Sequence, residues 1–472
     1  MRHLTFVLLA ICIASVTFAQ NIINISGTSQ CTGPNINVAI QSVSTAGGGT
    51  VYVYCPSIAI AVNLWSGVTN PTKVIFGPAT FTFQAQQILP DNTEVAGSGR
   101  STVFQLGSVS FTTAFDDGLF TNVDNNGTNS GTLNSGISLH DFEIHGSGTS
   151  SAYATGVSFY NIQHSSIYNL YIQDVWLNGI DLRNATDVDV HDNWCVNCAA
   201  GGNPHHAIGG GINASNDVFV YNKFTGNHAS GGGGTAGSGA DHFDFFGQGL
   251  ASNQRCGFNV ITDNTSDAAP TVGILLNTCN HNTVTGNIIR NSGTAAIECT
   301  SGLHNLDGGC AYNNFSNQIQ SPGQQGYLFV LAYENVVTGG EIFEAGLDAV
   351  LLQDSYRNKI DNVSVYSPSR AQALTYCGVT ITSAGGVAAE NTIQNNTLND
   401  KDYQGNMQNK MEAGVCIASS SNVLNNIVQN NHIDGGSAGT YGDGVTDNGN
   451  HNLVACNAYG TTTQTYPCTI HN

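Results

Sequence analysis

A short unit that recurs along most of the chain constrains the fold more than any other feature. Each copy starts with an apolar residue and ends with an apolar or small one, often with an asparagine at its fourth position. Copies with the asparagine read VHDNWC (190–195), FVYNKF (219–224), ITDNTS (261–266), VTGNII (284–289), IQNNTL (393–398) and VQNNHI (428–433). Copies without it read LHDFEI (139–144), IYNLYI (167–172), VTGGEI (337–342) and IDNVSV (360–365). Several copies lie 23 residues apart, as from 266 to 289.

A second pattern precedes many of these units. It is a glycine followed by alternating apolar residues, as in GVSFYN (156–161), GIDLRN (179–184), GILLNT (273–278), GVTITS (378–383) and GVCIAS (414–419). Strict alternation indicates strands with one buried face. Short strands at a period in the twenties, with no helical stretches between them, predict a solenoid in which each coil covers the next.

The recurrent asparagines are expected to stack at one corner of successive coils. They are Asn193, Asn222, Asn264, Asn287, Asn396 and Asn431. Their amides could hydrogen-bond up and down the stack, and an asparagine tolerates a left-handed corner conformation. The repeat therefore predicts a structural role for these residues.

The start of the chain predicts a cap. Ile36, Ala39, Ile40 and Val43 give a short amphipathic helix before GGGTVYV, and a helix there would protect the open strand edge. Together with the repeats, residues 35–106 resemble the pectin-lyase-like superfamily of pectate-lyase-type, polysaccharide-acting secreted proteins. The resemblance covers nearly all of the mature chain. It implies an all-β, right-handed parallel β-helix, a three-sheet solenoid with a short N-terminal capping helix.

The predicted organisation has three parts. Residues 1–19, with a basic start and an apolar run, are typical of a secretory signal peptide. Residues 20–110 would form the N-terminal cap and first coils, and 111–472 the parallel β-helix, as a single continuous domain with 20–110. The mature protein is therefore expected to be secreted, extracellular or periplasmic, with no membrane anchor.

Cysteine content agrees with export. The chain has 13 cysteines, and removal of Cys12 with the signal peptide leaves an even number, which predicts disulfide bonds. The nearest pairs in sequence are Cys31/Cys55, Cys195/Cys198, Cys299/Cys310 and Cys456/Cys468. A redox-active or zinc-binding role is the alternative for Cys195/Cys198.

Charge narrows the partners. Twelve Lys and Arg against 32 Asp and Glu give a formal net charge of −20. This excess argues against a nucleic-acid partner and disfavours an anionic polymer unless a local cation reverses the field. A polysaccharide is the expected partner, and the oligomeric state stays open.

Residues 241–249, DHFDFFGQG, are expected to contribute to a cleft. In the resembled family, the substrate cleft runs along the outside of one sheet. The resemblance implies that the strands of the glycine pattern form that sheet. Alternation then places Phe243 and Phe245 inside and turns Asp244 outward. The predicted outward column, coil by coil, is Asp181, Gly211, Asp244, Leu275 and Glu298. With coils about 4.8 Å apart, Asp244 would lie roughly 10 Å from both Asp181 and Glu298. This is near the ~6.5–9.5 Å that separates the acid and base carboxyl groups of inverting glycosidases.

Two glycine-rich insertions, 195–211 and 225–242, lead into the same strands and add titratable groups. The predicted catalytic candidates are Asp244, Asp181, Glu298, Asp241, His242 and His206. The predicted substrate-binding candidates are Arg183, His205, Asn213, Phe246, Arg255 and Asn277. Calcium is the one cofactor considered, with oxygen ligands from Asp181, Asp241 and Asp244.

Structural roles are the alternatives for these residues. Asp181 and Arg183 lie two apart on one strand face and could simply neutralise each other on a solvated surface. The structural role of Asp241 would be to cap a turn, and that of each histidine would be to hydrogen-bond to the backbone of its loop.

Three functions remain open on the sequence. The first is a glycoside hydrolase that uses two cleft carboxyl groups. The alternative is a calcium-dependent polysaccharide lyase or uronan epimerase, which needs a base and a cation, but basic residues are scarce. The second alternative is a non-catalytic glycan-binding or adhesin-like solenoid. The paired cleft aspartates of polygalacturonases are missing, since the adjacent Asp116 and Asp117 precede the regular coils.

Overall fold

The structure is a computed structural model. It describes residues 21–107, 118–122, 133–149, 154–202, 205–212, 217–234, 239–247, 255–301, 309–402, 404–406, 408, 410–434, 444–460 and 464–465. The predicted signal peptide, residues 1–19, and the Asp116–Asp117 pair lie outside the described residues.

The regular secondary structure of the described residues is almost entirely β-strand. One helix, α1 (Gly33–Thr45), follows the first strand. The strands of the first half are β1 (Asn21–Ser26), β2 (Gly49–Tyr54), β3 (Ile58–Ile60), β4 (Thr72–Phe76), β5 (Ala79–Phe83), β6 (Gln87–Ile88), β7 (Thr93–Ala96), β8 (Thr102–Leu106), β9 (Gly118–Thr121), β10 (Asn134–Ser135), β11 (Ser138–His145), β12 (Thr155–Gln173), β13 (Ile180–His191), β14 (Trp194–Val196), β15 (His206–Gly211), β16 (Val218–Val220), β17 (Lys223–Thr225), β18 (His228–Ser230), β19 (Asp241–Phe246), β20 (Arg255–Gly257), β21 (Val260–Thr262) and β22 (Thr265–Asp267).

The pattern continues through the second half. Its strands are β23 (Ile274–Asn277), β24 (Thr283–Arg290), β25 (Ile297–Thr300), β26 (Asn314–Gln320), β27 (Tyr327–Val330), β28 (Val336–Thr338), β29 (Glu341–Phe343), β30 (Val350–Gln353), β31 (Lys359–Asp361), β32 (Ser364–Tyr366), β33 (Val379–Thr382), β34 (Ala388–Ala389), β35 (Thr392–Gln394), β36 (Thr397–Asn399), β37 (Val415–Ile417), β38 (Val423–Leu424), β39 (Ile427–Gln429), β40 (His432–Asp434), β41 (Val445–Asp447), β42 (Leu453–Ala455), β43 (Ala458–Tyr459) and β44 (Gln464–Thr465).

Parallel pairing joins these strands into three long ladders. Sheet 1 contains β9, β12, β13, β15, β19, β23, β25, β27, β30, β33, β37 and β41. Sheet 2 runs from β1 and β2 through β13, β17, β21 and β24 to β42. Sheet 3 runs from β3 and β5 through β14, β18 and β22 to β43. The predicted right-handed, three-sheet parallel β-helix is confirmed.

Inward side chains from the three sheets fill the interior, as the alternation predicts. Phenylalanines dominate the first coils, where the rings of Phe76 and Phe104 meet edge to face with centroids 5.0 Å apart. Phe243 and Phe245 of β19 are buried in the same interior further along. Burial of each such side chain contributes about 1.5–3 kcal/mol.

Helix α1 covers the N-terminal end of the coil stack. Thr32 caps it, because its hydroxyl accepts a hydrogen bond from the Asn35 amide at 3.3 Å. Ile36, Ile40 and Val43 are fully buried, which confirms the amphipathic helix. Within the described residues, no helix combines the length and apolar character needed to cross a membrane.

Two asparagine ladders, rather than the single predicted one, hold the corners. The first ladder lies at the corner that connects sheet 1 to sheet 2. Its members are Asn222, Asn259, Asn282, Asn313, Asn335, Asn358, Asn391, Asn426 and Asn452. The second ladder, between sheets 2 and 3, is Asn193, Asn227, Asn264, Asn287 and Asn317, then Asn396, Asn431 and Asn457. Gly340 and Val363 occupy the second ladder's two intervening positions. The prediction that Asn222 shares a corner with the other five was therefore wrong.

The error has a physical reason. A coil carries two apolar-x-x-Asn units, such as those ending at Asn222 and Asn227, and both place the same amide at a corner. The left-handed conformation falls on the residue before each ladder asparagine except Asn317, with φ of 56° at Asp192 and 60° at Tyr221. The asparagine itself follows that turn and faces inward.

An asparagine inside a ladder forms hydrogen bonds with the coil before it and with the coil after it, as Asn264 shows. The Asn264 side-chain amide donates to Phe224 O at 2.8 Å and to Asn287 Oδ1 at 3.0 Å. Its Oδ1 accepts from the backbone and side-chain amides of Asn227 at 2.9 and 3.0 Å. These buried groups would otherwise remain unpaired, so the ladders fix the stacking of coils.

Disulfides confirm three of the four predicted pairs. The bonds are Cys31–Cys55, Cys195–Cys198, Cys256–Cys279, Cys299–Cys310 and Cys377–Cys416. Cys456 is also disulfide-bonded, while Cys468 lies outside the described residues. The Cys256–Cys279 and Cys377–Cys416 bonds join neighbouring coils on sheet 1 or its corner, a proximity visible only once the coils are aligned.

We expect Asn264→Ala to lower the free energy of unfolding by roughly 2–5 kcal/mol, because it leaves buried amides and a carbonyl unpaired. Urea denaturation followed by circular dichroism measures the loss. Asn399→Ala is the matched control, since Asn399 is half-buried on β36. Equal denaturation midpoints for the two variants would contradict a stabilising role of the ladder.

Thiol titration tests the cysteine pairing as a whole. Every cysteine of the described residues is disulfide-bonded, so the denatured, unreduced mature protein should show at most one free sulfhydryl per chain on average. Several free thiols would show that cysteines are packed in the core as thiols instead.

Candidate active site

The candidate site lies on the outward face of sheet 1. Strand register places Asp181 opposite Gly209, Gly209 opposite Asp244, Asp244 opposite Leu275, and Leu275 opposite Glu298. Asp244 is thus two coils from both Asp181 and Glu298, about 10 Å at the spacing of adjacent strands. The predicted column holds, except that its second member is Gly209 rather than Gly211.

Glycines in β15 explain the two-residue error. The run Gly209–Gly211 has no alternating side chains to set the register. The sequence pattern therefore aligns Ile212 with Leu182, whereas the structure pairs Gly210 with Leu182 and Ile208 with Ile180. Close packing requires these glycines: a Cβ at Gly209 would lie 2.1 Å from Asp244 O, and one at Gly211 would lie 2.7 Å from the Phe246 ring. With Ile208 inward, the predicted ligand Asn213 falls after the strand and outside the described residues.

Asp181 is the most buried carboxylate of the site, with no exposed side-chain surface. Arg183 Nε donates to its two oxygens at 2.8 and 2.9 Å. Burial alone would raise the pKa of Asp181, but Arg183 and His206 outweigh it and hold the pKa below its ordinary value. The predicted neutralisation by Arg183 is present, but it occurs in a buried pair and not on a solvated surface.

His206 lies between two of the carboxyl groups. Its Nε2 is 3.4 Å from Asp181 Oδ1, and its Nδ1 is 3.8 Å from Asp244 Oδ2. The side chain is 1% exposed, and Nε2 makes no hydrogen bond of good geometry.

Asp244 carries a carboxyl oxygen without a partner. Its Oδ1 is buried and makes no hydrogen bond, although 16% of the side chain is exposed. Burial raises the pKa of Asp244 to about 7, and the Asp241 charge adds to the rise, while His206 and Arg183 oppose it. The group is therefore suited to hold a proton near neutral pH.

Glu298 is the second carboxyl group that titrates near neutrality. It is half-buried on β25, two coils from Asp244. Burial raises its pKa to about 7, with a further contribution from Asp241. Two outward carboxyl groups on one column therefore gain and lose protons in the same pH range.

Asp241 connects the column to the segment before β23. Its Oδ1 accepts hydrogen bonds from the Thr271 hydroxyl and from the Val272 amide, the latter at 3.0 Å. Burial raises its pKa, and these two hydrogen bonds oppose the rise. The predicted turn-capping role is thus present alongside an electrostatic effect on Asp244 and Glu298.

Two predicted histidines are placed differently from His206. His242 is buried near the start of β19, where Nε2 donates to Gly231 O at 2.7 Å and Nδ1 accepts from Ser266 Oγ at 2.8 Å. Burial lowers its pKa to about 4, so it is a neutral structural residue there. Burial and then the His206 charge likewise lower the pKa of His205 to about 4.

The other predicted binding residues divide into two groups. The Arg183 guanidinium lies 4.3 Å from the centre of the Phe246 ring, and Asn277 follows Phe246 in register on the next coil. Arg255 instead lies at the start of β20, which pairs with β16 at the corner after sheet 1, and its side chain is exposed. Within the described residues, no hydrogen bond or ion pair joins Arg255 to the column.

Asn178 was missed by the sequence reasoning. Its Oδ1 accepts from the His206 amide at 2.8 Å, and its Nδ2 lies 3.4 Å from Asp181 Oδ2. It therefore positions both residues. An asparagine directly before the glycine of GIDLRN was the available signal. Tyr160, opposite Arg183, donates to Asp217 Oδ2 at 3.0 Å and was also missed.

The donor set does not fit calcium. Both oxygens of Asp181 are occupied by Arg183, and Asp241 Oδ1 by Thr271 and Val272. In the described part of the chain, the grouping of acidic, histidine and cysteine donors within 4.8 Å occurs at Cys377, Glu412 and Cys416, not in this column. Those two cysteines are disulfide-bonded.

Comparisons with known proteins find likeness in structure. No protein-family model and no curated protein matches the sequence. The Azotobacter vinelandii mannuronan C-5 epimerase AlgE6 A-module is 14% identical, with a TM-score of 0.50 over 91% of this chain and 95% of that one. The catalytic domain of GH87 alpha-1,3-glucanase in complex with tetrasaccharides is 12% identical, with a TM-score of 0.53 over 83% and 69%.

A third solved structure extends the likeness. Bacteriophage CBA120 tailspike protein 3 is 10% identical, with a TM-score of 0.54 over 95% of this chain and 62% of that one. All three are parallel β-helix proteins, and at these identities the likeness concerns the fold alone. The chain therefore has the right-handed parallel β-helix fold.

Proposed function

We propose that the protein is an exported glycoside hydrolase that cleaves a polysaccharide with Asp244 and Glu298 as its carboxyl pair. The observation that carries the proposal is the placement of two outward carboxyl groups on one column, each with a pKa raised to about 7. Solved structures of similar fold include a glucanase and an epimerase that act on polysaccharides. Disulfide bonds on several coils support an oxidising compartment.

The two carboxyl groups take complementary roles. Asp244 is the general acid, because its buried Oδ1 and its acidic neighbours favour the protonated form. Glu298, half-buried and two coils away, is the base that activates a water molecule. A separation near 10 Å between their strands leaves room for that water, as in inverting hydrolysis.

Asp181, Arg183 and His206 act as positioning residues. The Asp181–Arg183 pair lies on one side of His206, in the coil before it. The other side of the imidazole faces Asp244 in the coil after it. The arrangement fixes the Asp244 carboxyl group relative to the cleft floor without direct contact with the glycosidic bond. Asn178 holds the backbone and carboxylate at the base of this arrangement.

A uronan lyase or epimerase is the second candidate, and His206 is the observation that favours it. An imidazole between two carboxylates is a suitable base for a proton next to a carboxylate. The weakness of this candidate is charge neutralisation, because Arg183 is already paired with Asp181. Hydrolysis raises reducing ends only, whereas a lyase also forms unsaturated products.

We expect Asp244→Asn and Glu298→Gln each to lower the rate of polysaccharide cleavage by about two orders of magnitude or more, the effect of losing a general acid or base. Reducing-end release from a panel that includes alpha-1,3-glucan and mannuronan measures it, with absorbance of unsaturated products read separately. Asp189→Asn, outward on sheet 2, is the control and should retain full activity.

Three results would contradict this function. Unsaturated products would favour the lyase, and binding without cleavage of any polymer would favour an adhesin-like role. Full activity of both column variants would show that the pair is not catalytic. A chelator should leave hydrolysis unchanged, because the column does not fit calcium.

The pH dependence of thermal stability tests the raised pKa of Asp244 without a substrate. A carboxyl group whose pKa is raised on folding stabilises the folded state below its unfolded pKa, and this stability is lost as pH rises through the folded value. For Asp244 the window runs from about 4 to about 7. The melting temperature of Asp244→Asn should therefore rise relative to the parent protein between pH 5 and pH 8. A difference that stays constant with pH would show that Asp244 titrates normally.

A further inference from the structure

The outward face of sheet 1, which would be the cleft floor of the proposed hydrolase, changes character beyond the carboxyl pair. In the column of Asp244 and Glu298, the intervening residue is Leu275, and the next coils contribute Leu328 and Leu351. All three leucines are outward and half-buried. Leu275 lies between Asp244 and Glu298, whereas Leu328 and Leu351 follow Glu298 toward the C-terminal coils. We call the whole column the first stripe and its leucines the leucine stripe.

A second stripe runs beside the first, two residues further along each strand. From Phe246 it continues through Asn277, Thr300, Val330, Gln353 and Thr382. These side chains are half-buried, and most of them carry an amide or a hydroxyl. They offer uncharged hydrogen-bond donors and acceptors over coils β23 to β33.

The two stripes carry little positive charge. Within the described coils β13 to β33, their basic residue is Arg183, whose Nε is paired with Asp181 and whose guanidinium covers Phe246. The acids of the first stripe are Asp181, Asp244 and Glu298. The outward residues of both stripes are therefore uncharged from β27 to β33, although the Thr380 hydroxyl donates to the buried Asp348 before β30. The acidic positions of the stripes lie at Asp181, which is paired with Arg183, and at Asp244 and Glu298.

We infer that the cleft takes an uncharged polysaccharide, laid along the stack from the carboxyl pair toward the C-terminal coils. This inference rests on the proposed glycoside hydrolase. A neutral pyranose chain presents C–H faces that suit the leucine stripe and hydroxyl groups that suit the amide and hydroxyl stripe. From Glu298 to Thr380 the floor spans three strand spacings, about 14 Å.

A polyuronate is excluded on electrostatic grounds. Each of its sugars carries a carboxylate, which would need a free guanidinium, ammonium or bound cation to offset the loss of hydration. The stripes offer amides and hydroxyls instead, and the net charge of −20 repels a polyanion at long range. The substrate class therefore follows from the floor and not from the chemistry of the pair.

Affinity electrophoresis of Asp244→Asn tests the inference. Its mobility is measured in gels that contain dextran, alpha-1,3-glucan, xylan or mannan, and in gels that contain polygalacturonate or alginate, at low and at physiological salt. We expect retardation by at least one neutral polymer and by neither polyuronate. Retardation by a polyuronate as strong as by any neutral polymer would overturn the inference, and so would a lack of retardation in every gel.

Leu351→Asp in the Asp244→Asn background tests the direction of the chain. A carboxylate in the leucine stripe should weaken binding of the retarding polymer by about tenfold or more, an effect near 1.4 kcal/mol. Val336→Asp is the matched control, because Val336 is half-buried and outward on sheet 2. Equal weakening by both variants, or by neither, would remove the C-terminal coils from the binding surface.

The two proposals fail separately. If a neutral polymer binds Asp244→Asn but the parent protein cleaves nothing, the substrate class stands and the hydrolase fails. If the parent protein hydrolyses a polyuronate, the hydrolase stands and the substrate class fails.

Discussion

Amide-to-amide hydrogen bonding between consecutive coils underlies the rest of this molecule. Inside each row, a ladder asparagine accepts from the coil before it and donates to the coil after it, so a one-residue slip would leave several buried groups unpaired. Sheet 1 inherits its register from these corners. Because the corners hold the stack, the outward positions of sheet 1 are free to carry carboxyl groups, glycines and leucines that contribute little to folding.

That freedom has an electrostatic cost at the site. Asp244 and Glu298 are held where burial raises their pKa, and Asp181 is buried with no exposed surface. Arg183 and His206 compensate the Asp181 charge, but Asp244 Oδ1 stays unpaired. Such groups persist when the surrounding structure fixes them. Here the disulfides and the two amide ladders provide that rigidity on the coils that flank the site.

Much of this could be predicted from the sequence, because the fold follows local rules. Alternation assigned Phe243 and Phe245 to the core and Asp244 to the cleft, and the apolar spacing identified α1. The Gly209–Gly211 run defeated the pattern, since glycines carry no inward or outward signature. Asn222 was misplaced because two corners use the same amide. The orientation of His242 depends on Ser266 and Gly231 of other segments, which no local pattern contains.

The interrupted second ladder has a mechanical consequence. At Gly340 and Val363 the coils are joined by the first ladder and the sheets, without the second row of amides. In a stack where each coil contacts only its neighbours, cooperativity passes from one interface to the next. The weakest interface then divides the solenoid into two units of unfolding. The carboxyl pair and the disulfides beside it lie in the first unit, so fraying of the last coils can begin without opening the candidate site.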